Sequence, residues 1–243
     1  MKSTINDYDY IIDVFVPDEA PPTEGFSVVL VLDGTRYARL MYETVTNQLR
    51  NRAKTGVEPA IIVGIGHQES DIPKQRFFDF TAPALEYKFP IRRGREMEPM
   101  PAGGAEKLMQ FILMQVIPMM SEKYHVNRDK ISLYGHSLGG LFVLWSYLKH
   151  PGSFSKYVAL SPSIWWNEYE LFTTLRNARG NYIAPLYISV GGGEGDMVDD
   201  AQKFYFIGKE KGIDSEFYIA EQENHASVIP TTMSRVLRFL KSE

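Results

Sequence analysis

The sequence predicts an α/β protein whose central, mostly parallel β-sheet is covered by helices on both faces. Short apolar runs recur along the chain without alternating polar residues, which is typical of strands buried on both faces. Stretches with helical spacing separate these runs, and this alternation indicates parallel strands joined by right-handed crossovers. The chain has 243 residues, 44% of them hydrophobic, which is enough for one large core. We therefore expect one domain over residues 1–243.

The first half of the chain contains three predicted strands. Residues 11–16 are apolar except for Asp13 and are predicted to form a strand that Pro17 ends. Residues 28–32 form a continuous apolar run, and helical character follows to about residue 52. Residues 60–64 form a third strand, which is short and has the composition of a buried strand.

The segment from about residue 68 to residue 103 is different. Pro, Gly, Arg and Glu are frequent, and Arg92, Arg93 and Arg95 cluster within it. We expect an irregular excursion over the surface, of the kind that often lies across the active site in α/β enzymes. With Arg76, these arginines suit an anionic substrate, because guanidinium groups donate paired hydrogen bonds to oxygen anions.

The second half of the chain continues the alternation of helices and strands. Further strands are expected at residues 131–134, 157–160, 185–190 and 216–220. Further helices are expected at residues 104–120, after residue 137, at residues 167–179, after about residue 196 and at residues 230–241. In the last of these, the apolar residues Met233, Val236, Leu237 and Leu240 keep helical spacing, which indicates an amphipathic helix.

A turn between a predicted buried strand and an apolar helix presents a serine, Ser137. Residues 135–139 read Gly-His-Ser-Leu-Gly, which is the spacing of a nucleophile elbow. Serine is a poor nucleophile in water, so its hydroxyl must be held at the tip of a strained turn, where the helix N-terminus directs N–H groups at the developing oxyanion. We expect Gly135 and Gly139 to be required, because a Cβ atom would strike the adjacent strand and helix. Ser137 is therefore the predicted nucleophile.

Composition narrows the chemistry and the partners. The formal net charge is −4 and no run of Lys or Arg exceeds two residues, so we expect no nucleic-acid partner. The absence of cysteine excludes a thiolate nucleophile, a disulfide and a thiol-based zinc site. The N-terminus is acidic where a signal peptide is basic, and no stretch approaches a membrane span. We expect no membrane partner, no metal or organic cofactor, and a cytoplasmic location.

A serine nucleophile on this type of turn needs a base that follows it in the chain, with an acid between them. His225 lies in a loop just after the last predicted strand, at the edge of the sheet where active-site residues gather. His67 and His125 precede the turn, and His150 lies at a helix end, as structural histidines often do. We therefore expect His225 to be the base.

The acid is expected in the glycine-rich stretch between residues 190 and 196. Glu194 ranks first, because it has no capping role and its side chain can reach a histidine from a flexible loop. Asp196 ranks second, since it is also expected to be the N-cap of the following helix. Asp199 ranks third, and a Ser and His dyad without an acid stays open.

The oxyanion hole is expected to take one N–H from Leu138, the residue after the nucleophile. The second donor is expected from the loop that follows residues 28–32. Gly34 permits close backbone approach there, so the N–H of Gly34 or of Thr35 is the predicted second donor.

Five segments stand out in chain order: Leu32-Asp33-Gly34, Asp79-Phe80-Thr81-Ala82-Pro83, Gly135-His136-Ser137-Leu138-Gly139-Gly140, Ser161-Pro162-Ser163-Ile164-Trp165-Trp166 and Asn224-His225-Ala226-Ser227. Together they resemble the putative esterase family, which includes the enterochelin and bacillibactin esterases, esterase D and the mycolyltransferases. Within that family, the fourth and fifth segments look most like the siderophore trilactone esterases.

The resemblance implies an α/β-hydrolase fold, with Ser137 as nucleophile, His225 as base and the acid in the loop at residues 191–194. It also implies that Trp165 and Trp166 line the substrate pocket. The implied activity is hydrolysis of a siderophore trilactone or a related ester through an acyl-enzyme.

Two other functions stay open at this point. One is a general small-molecule carboxylesterase, and the other is a non-catalytic module with a hydrolase fold that binds a ligand. Serine, histidine and an acid at the expected places favour an enzyme, because a binding module has no physical reason to keep all three.

Overall fold

The computed structural model describes residues 1–92 and 94–241. Its strands are β1 (Ile11–Phe15), β2 (Phe26–Leu32), β3 (Ala60–Gly66), β4 (Ile91–Arg92), β5 (Arg95–Glu96), β6 (Val126–His136), β7 (Lys156–Leu160), β8 (Leu186–Gly191) and β9 (Ser215–Ala220). The main sheet has seven strands in the order β1-β3-β2-β6-β7-β8-β9, and β4 and β5 form a separate hairpin. In the main sheet β1 pairs antiparallel with β3, whereas the other neighbours pair in parallel.

The α-helices are α1 (Gly34–Leu49), α2 (Arg52–Thr55), α3 (Ile72–Phe80), α4 (Ala105–Phe111), α5 (Ile117–Lys123), α6 (Leu138–Lys149), α7 (Trp166–Asn177), α8 (Asp196–Glu210) and α9 (Val228–Lys241). A π-helical stretch at Ile112–Val116 joins α4 to α5, and a short 3₁₀ turn at Glu69–Asp71 precedes α3. These bounds match the expected alternation of strands and helices to within a few residues at most ends.

Alternate residues of the central strands enter two separate cores. Leu30 and Leu32 of β2 pack into the core that α3, α4, α6, α7 and α8 cover. Val29 and Val31 point to the other face, where α1 and α9 form the second core. Successive side chains of a strand point to opposite faces of the sheet, which gives this division. Because both faces are buried, every position of β2 has to be apolar or small. The predicted α/β class with both faces of the sheet covered is confirmed.

The expected irregular excursion at about residues 68–103 contains a helix that the sequence analysis did not identify. Helix α3 buries Phe77 and Phe80 against the core, so it is part of the folded body. Its proline, Pro73, lies in the first turn, where a missing N–H breaks no intrahelical hydrogen bond. After α3, the described residues up to residue 103 contain regular structure only in the β4–β5 hairpin.

Three central strands end side by side at one edge of the sheet. His136 of β6 pairs with Leu160 of β7, and Leu160 pairs with Ser189 of β8. The residues that follow these parallel strands must therefore meet at the same edge, which is where ligands bind in open α/β sheets. Ser137, Ser161 and the loop at residues 192–195 are the segments that follow.

Candidate active site

Ser137 lies in a strained turn between β6 and α6. Its φ of 61° and ψ of −119° form a backbone conformation that residues other than glycine rarely adopt. A Cβ on Gly135 would lie 2.3 Å from the carbonyl oxygen of Gly139, so only glycine allows β6 and α6 to approach this closely. The expectation for Gly139 itself is wrong, because its Cβ would be 3.5 Å or more from the nearest atoms. The second steric requirement falls on Gly140, whose Cβ would meet a carbonyl oxygen of β7 at 2.8 Å.

Ser137 opens into a cleft of about 950 Å³. The residues of the described chain that line this cleft are Ile91, Met97, Ser137, Ser163, Trp165, Gly193, Glu194, Gly195, Asp196, Met197, Asn224, His225 and Ala226. The structure thus brings the predicted nucleophile, base and acid together with one of the two predicted tryptophans. These residues come from five separate parts of the chain, and four of these parts follow strands of the main sheet that end at one edge.

The hydroxyl of Ser137 is hydrogen-bonded within the cleft. Its Oγ lies 3.3 Å from Oγ of Ser163, and the N–H of Ser163 donates to the carbonyl oxygen of Ser137 at 3.0 Å. His225 faces the same cleft, and among the described residues no hydrogen bond joins it to Ser137. Hydrogen bonds between a nucleophile and its base are often long until a substrate is bound.

Glu194 is paired with His225. Nδ1 of His225 lies 2.6 Å from Oε2 of Glu194. The other carboxylate oxygen, Oε1, accepts from the Ser161 hydroxyl at 2.5 Å and from the N–H of Gly191 at 2.7 Å. The Glu194 side chain is 2% exposed, whereas that of His225 is 40% exposed. A buried carboxylate with both oxygens engaged therefore holds one ring nitrogen of His225 and leaves the other free to act in the cleft.

The pKa of the Glu194 carboxyl group lies below its usual value. Burial by itself would raise this pKa, because it disfavours the charged form. The hydrogen bonds from His225, Ser161 and the N–H of Gly191 favour the carboxylate and together outweigh burial. Glu194 is therefore held as an anion that can stabilise a protonated His225.

The two other acid candidates are not paired with His225. Asp196 lines the cleft, but its side chain is exposed, and Asp199 is exposed on the first turn of α8. The expectation that Asp196 is the N-cap is wrong: α8 begins at Asp196, and Gly195 precedes it with a φ of 60° and no side-chain cap. A glycine suits this cap because the positive φ costs it little. Both aspartates complement the positive end of the helix dipole.

The three predicted oxyanion donors lie at the N-termini of two helices that follow the neighbouring strands β2 and β6. Leu138 is the first residue of α6, and Gly34 and Thr35 are the first two residues of α1. A Cβ on Gly34 would lie 2.3 Å from Cα of Gly64, so its close approach is to strand β3. These three residues are not among the described residues that line the cleft, and their role stays a prediction.

The two predicted substrate-binding tryptophans have different positions. Trp165 lines the cleft. The expectation for Trp166 is corrected, because its side chain is fully buried and packs among Phe77, Tyr87 and Phe89. Trp166 therefore belongs to the core that supports the cleft-lining segment.

The arginines of the segment at residues 68–103 do not form one group. Arg76 donates to both carboxylate oxygens of Asp33, at 2.7 and 2.9 Å. The expectation that Arg76 binds an anionic substrate is therefore corrected, because its guanidinium group is already paired with Asp33. Arg93 lies outside the described residues, as do the side chains of Arg92 and Arg95. The backbone of Arg92 and Arg95 belongs to the β4–β5 hairpin, and Ile91 of that hairpin lines the cleft.

Two serines of the site were not predicted. Ser161 hydrogen-bonds Glu194, and Ser163 hydrogen-bonds Ser137. Both lie in the Ser-Pro-Ser segment after β7, which is next to β6 in the sheet. Their position after a central strand was a signal that could have identified them, because such residues gather at the same edge.

The ring of the buried His136 contacts the ring of His225. Its ring centroid lies 4.4 Å from that of His225, with the planes inclined by 45°. Burial lowers the pKa of His136 to about 3. His136 therefore stays neutral near neutral pH and adds no charge beside His225.

The remaining histidines have structural partners or lie on the surface. His67 is buried and its Nε2 lies 2.9 Å from Oδ2 of Asp79, and His150 is paired in the same way with Glu106. His125 is exposed. None of the three lines the cleft within the described chain.

Residues 1–92 and 94–241 include no helix that is both long and apolar enough to cross a membrane. The same part of the chain holds no cluster of three or more His, Asp or Glu side chains arranged to bind a metal ion.

Known proteins are similar to this chain in sequence and fold. Residues 3–235 match the family model described as putative esterase. The chain is 36% identical over 256 residues to the ferri-bacillibactin esterase BesA of Bacillus subtilis (strain 168). This alignment covers 98% of this chain and 87% of that protein. The crystal structure of the BES protein from Bacillus cereus has a TM-score of 0.86 at 33% identity, covering 100% of this chain and 94% of that one. The siderophore hydrolase EstA from Aspergillus nidulans has a TM-score of 0.78 at 27% identity, with coverage of 96% and 89%.

The family resemblance seen in the sequence is confirmed by the match over residues 3–235. The expected α/β-hydrolase fold is confirmed by the mostly parallel sheet and by the solved structures that superpose on it. The chain belongs to the putative esterase family, within the α/β-hydrolase fold.

Proposed function

We propose that this protein is a serine esterase that hydrolyses the ester bonds of a siderophore trilactone or a related ester. Oγ of Ser137 attacks the ester carbonyl while His225 takes the hydroxyl proton. His225 then gives that proton to the leaving alcohol oxygen as the ester C–O bond breaks, which leaves an acyl group on Ser137. A water molecule loses a proton to His225 and attacks the acyl carbon. The carboxylic acid departs and Ser137 regains its proton.

The observation that carries this proposal is the 2.6 Å contact between Glu194 and Nδ1 of His225, at a cleft that Ser137 also lines. A carboxylate on Nδ1 fixes the tautomer in which Nε2 can accept a proton. It also stabilises the imidazolium that forms when Ser137 is deprotonated. The lowered pKa of Glu194 keeps this carboxylate ionised for that role.

The negative charge that develops on the ester oxygen needs N–H donors. We assign the N–H of Leu138 and, from the start of α1, the N–H of Gly34 or Thr35 to this role. Support comes from their position at helix N-termini, where N–H groups have no intrahelical partner.

The substrate class rests on relatives and on the cleft. The ferri-bacillibactin esterase and the siderophore hydrolase EstA are similar to this chain over most of their length. The cleft volume of about 950 Å³ lies at the upper end of the range for small-molecule sites. Trp165, Ile91 and Met97 offer apolar contacts to the rings of such a substrate. Arg92, Arg93 and Arg95 would contribute positive charge if the substrate is an anionic ferric complex.

We extend the proposal to a role in iron acquisition in the cytoplasm, performed by one domain over residues 1–243. Fractionation of cells that express the protein from its own gene would test the compartment.

The function is tested with purified protein and three esters: a tris-catecholate trilactone, its ferric complex and a neutral aryl acetate. Products are followed by liquid chromatography and mass spectrometry, with Ser137→Ala as the control. We expect opening of the trilactone by the wild-type protein and none by the variant. Hydrolysis of the aryl acetate alone would indicate a general carboxylesterase. Binding of the trilactone without hydrolysis of any ester would indicate a non-catalytic module.

A further inference from the structure

Ser161 is a buried residue that the proposed reaction does not use. It follows β7 directly, its side chain is fully buried, and its φ is 42°. Serine rarely adopts such a positive φ, and strained residues of this kind persist where the surrounding structure fixes them. The N–H of Ser161 donates to the carbonyl oxygen of Ser189 at 2.7 Å, which holds the backbone in this conformation.

The strained backbone directs the Ser161 hydroxyl at Glu194. Its Oγ lies 2.5 Å from Oε1 of Glu194, the short distance expected for a hydroxyl bound to a carboxylate. The N–H of Gly191 donates to the same oxygen at 2.7 Å. These two donors come from the ends of β7 and β8, so Oε1 is fixed to two neighbouring strands.

Fixing Oε1 determines where the other oxygen points. The terminal torsion of a glutamate is broad, so a carboxylate held by one contact can rotate. With Oε1 held by Ser161 and Gly191, Oε2 is directed at Nδ1 of His225. The Glu194 side chain is 2% exposed, so water has little access to replace a lost donor.

We infer that Ser161 is a positioning residue, which orients the Glu194 carboxylate towards His225 and keeps it ionised. The inference rests on the proposed function, because it assigns Ser161 a task in the same reaction. Removal of the hydroxyl should allow the carboxylate to turn and should weaken its support of protonated His225.

The test compares Ser161→Ala with Ser161→Gly. Both remove the hydroxyl, and Ser161→Gly also removes the cost of the positive φ, so we expect Ser161→Gly to fold even if Ser161→Ala does not. Ser146→Ala is the matched control: Ser146 is a buried serine of α6 whose hydroxyl bonds the carbonyl oxygen of Val143. The wild-type protein and the three variants are assayed for kcat, KM and the pH dependence of kcat/KM.

We expect kcat to fall by about tenfold or more in both Ser161 variants, with KM changed by less than about twofold. The acidic limb of the pH profile should move to lower pH, because Glu194 stabilises protonated His225 less well. Besides Glu194, the titratable groups of the described chain near His225 are His136, whose ring contacts it, and Asp196, which lines the same cleft, and neither variant alters them. A merely structural role would lower stability and leave this limb unchanged.

A double-mutant cycle completes the test. In a Glu194→Gln background, Ser161→Gly should cost little further activity, since its effect acts through the carboxylate. A Ser161→Gly protein with the kcat and acidic limb of the wild type would overturn the inference, as would full additivity with Glu194→Gln. If Ser137→Ala retains full activity, the proposed function fails instead, so the two failures are distinguishable.

Discussion

Oε2 of Glu194 lies 2.6 Å from Nδ1 of His225, and the same carboxylate is held from its other side by two donors. The neighbouring Asp196 lines the cleft without such a pair. The contacts with His225 therefore distinguish Glu194 from Asp196, although the two residues are only two positions apart in the chain.

Glu194→Gln should lower kcat by roughly 10²–10⁴-fold, because an amide cannot stabilise protonated His225 and can favour the wrong tautomer. Asp196→Asn is the matched change two residues away, and it should keep kcat within about threefold. Steady-state kinetics on one ester measures both. A larger loss for Asp196→Asn would transfer the acid role to Asp196.

Trp165 and Trp166 should differ in effect when each is replaced by alanine: the first change should weaken substrate binding, and the second should lower the stability of the fold. Trp165→Ala should raise KM for a bulky aromatic ester, because Trp165 lines the cleft. Trp166→Ala should lower the free energy of unfolding by about 3–5 kcal/mol, since a fully buried aromatic side chain leaves a cavity. Urea unfolding and Michaelis–Menten kinetics on both variants test this division, and the idea is wrong if both variants show the same pattern.

The buried His136 should make the fold sensitive to acid. Burial lowers the folded-state pKa of His136 from 6.5 to about 3, so below pH 6.5 the unfolded chain binds a proton that the folded chain does not. The free energy of unfolding should therefore fall by about 1.4 kcal/mol per pH unit from this group as the pH drops from 6.5 towards 3. The groups that face His136 are Tyr37, Asp33, Arg76 and His225.

Urea unfolding at pH 7 and pH 5 measures the acid sensitivity. His136→Gln should have a shallower pH dependence than the wild type, whereas His125→Gln, at an exposed histidine, should keep the wild-type slope. Equal slopes for all three proteins would show that His136 is not the source.

Arg92, Arg93 and Arg95 should matter for an anionic substrate. Replacing Arg92, Arg93 and Arg95 by Gln should raise KM for a ferric catecholate trilactone and leave KM for a neutral aryl acetate within about twofold. The effect should shrink at high salt if it is electrostatic, since salt screens interactions between charges in water over about 10 Å at 0.1 M. Arg39→Gln, at an exposed arginine of α1, is the control. Equal changes for both esters would remove the electrostatic argument.

Much of the site could be predicted because it depends on local pattern and chain order. Glycine spacing around Ser137 indicates the turn, and the order of nucleophile, acid and base in this fold class directs attention to Glu194 and His225. The geometry of their pair is consistent with that order. Strands were predicted well because continuous apolar runs are typical of a sheet buried on both faces.

The features that could not be predicted from the sequence depend on contacts between residues far apart in the chain. The pairing of Arg76 with Asp33 spans 43 positions, so an arginine expected to bind substrate is a structural partner instead. Helix α3 was not predicted because its sequence has no clear helical spacing of apolar residues. Its stability depends on the packing of Phe77 and Phe80 against the core. The contact of Ser161 with Glu194 spans 33 positions and depends on the adjacency of β7 and β8.

Covalent labelling tests whether Ser137 is the nucleophile. The protein is treated with a fluorophosphonate, and the intact mass and the proteolytic peptides are measured by mass spectrometry. We expect one label per chain, on the peptide that contains Ser137, and no label on Ser137→Ala. We also expect much slower labelling of His225→Ala, because the nucleophile then lacks its base. A protein that stays unlabelled, or that carries the label on another residue, would contradict the assignment of Ser137 as the nucleophile.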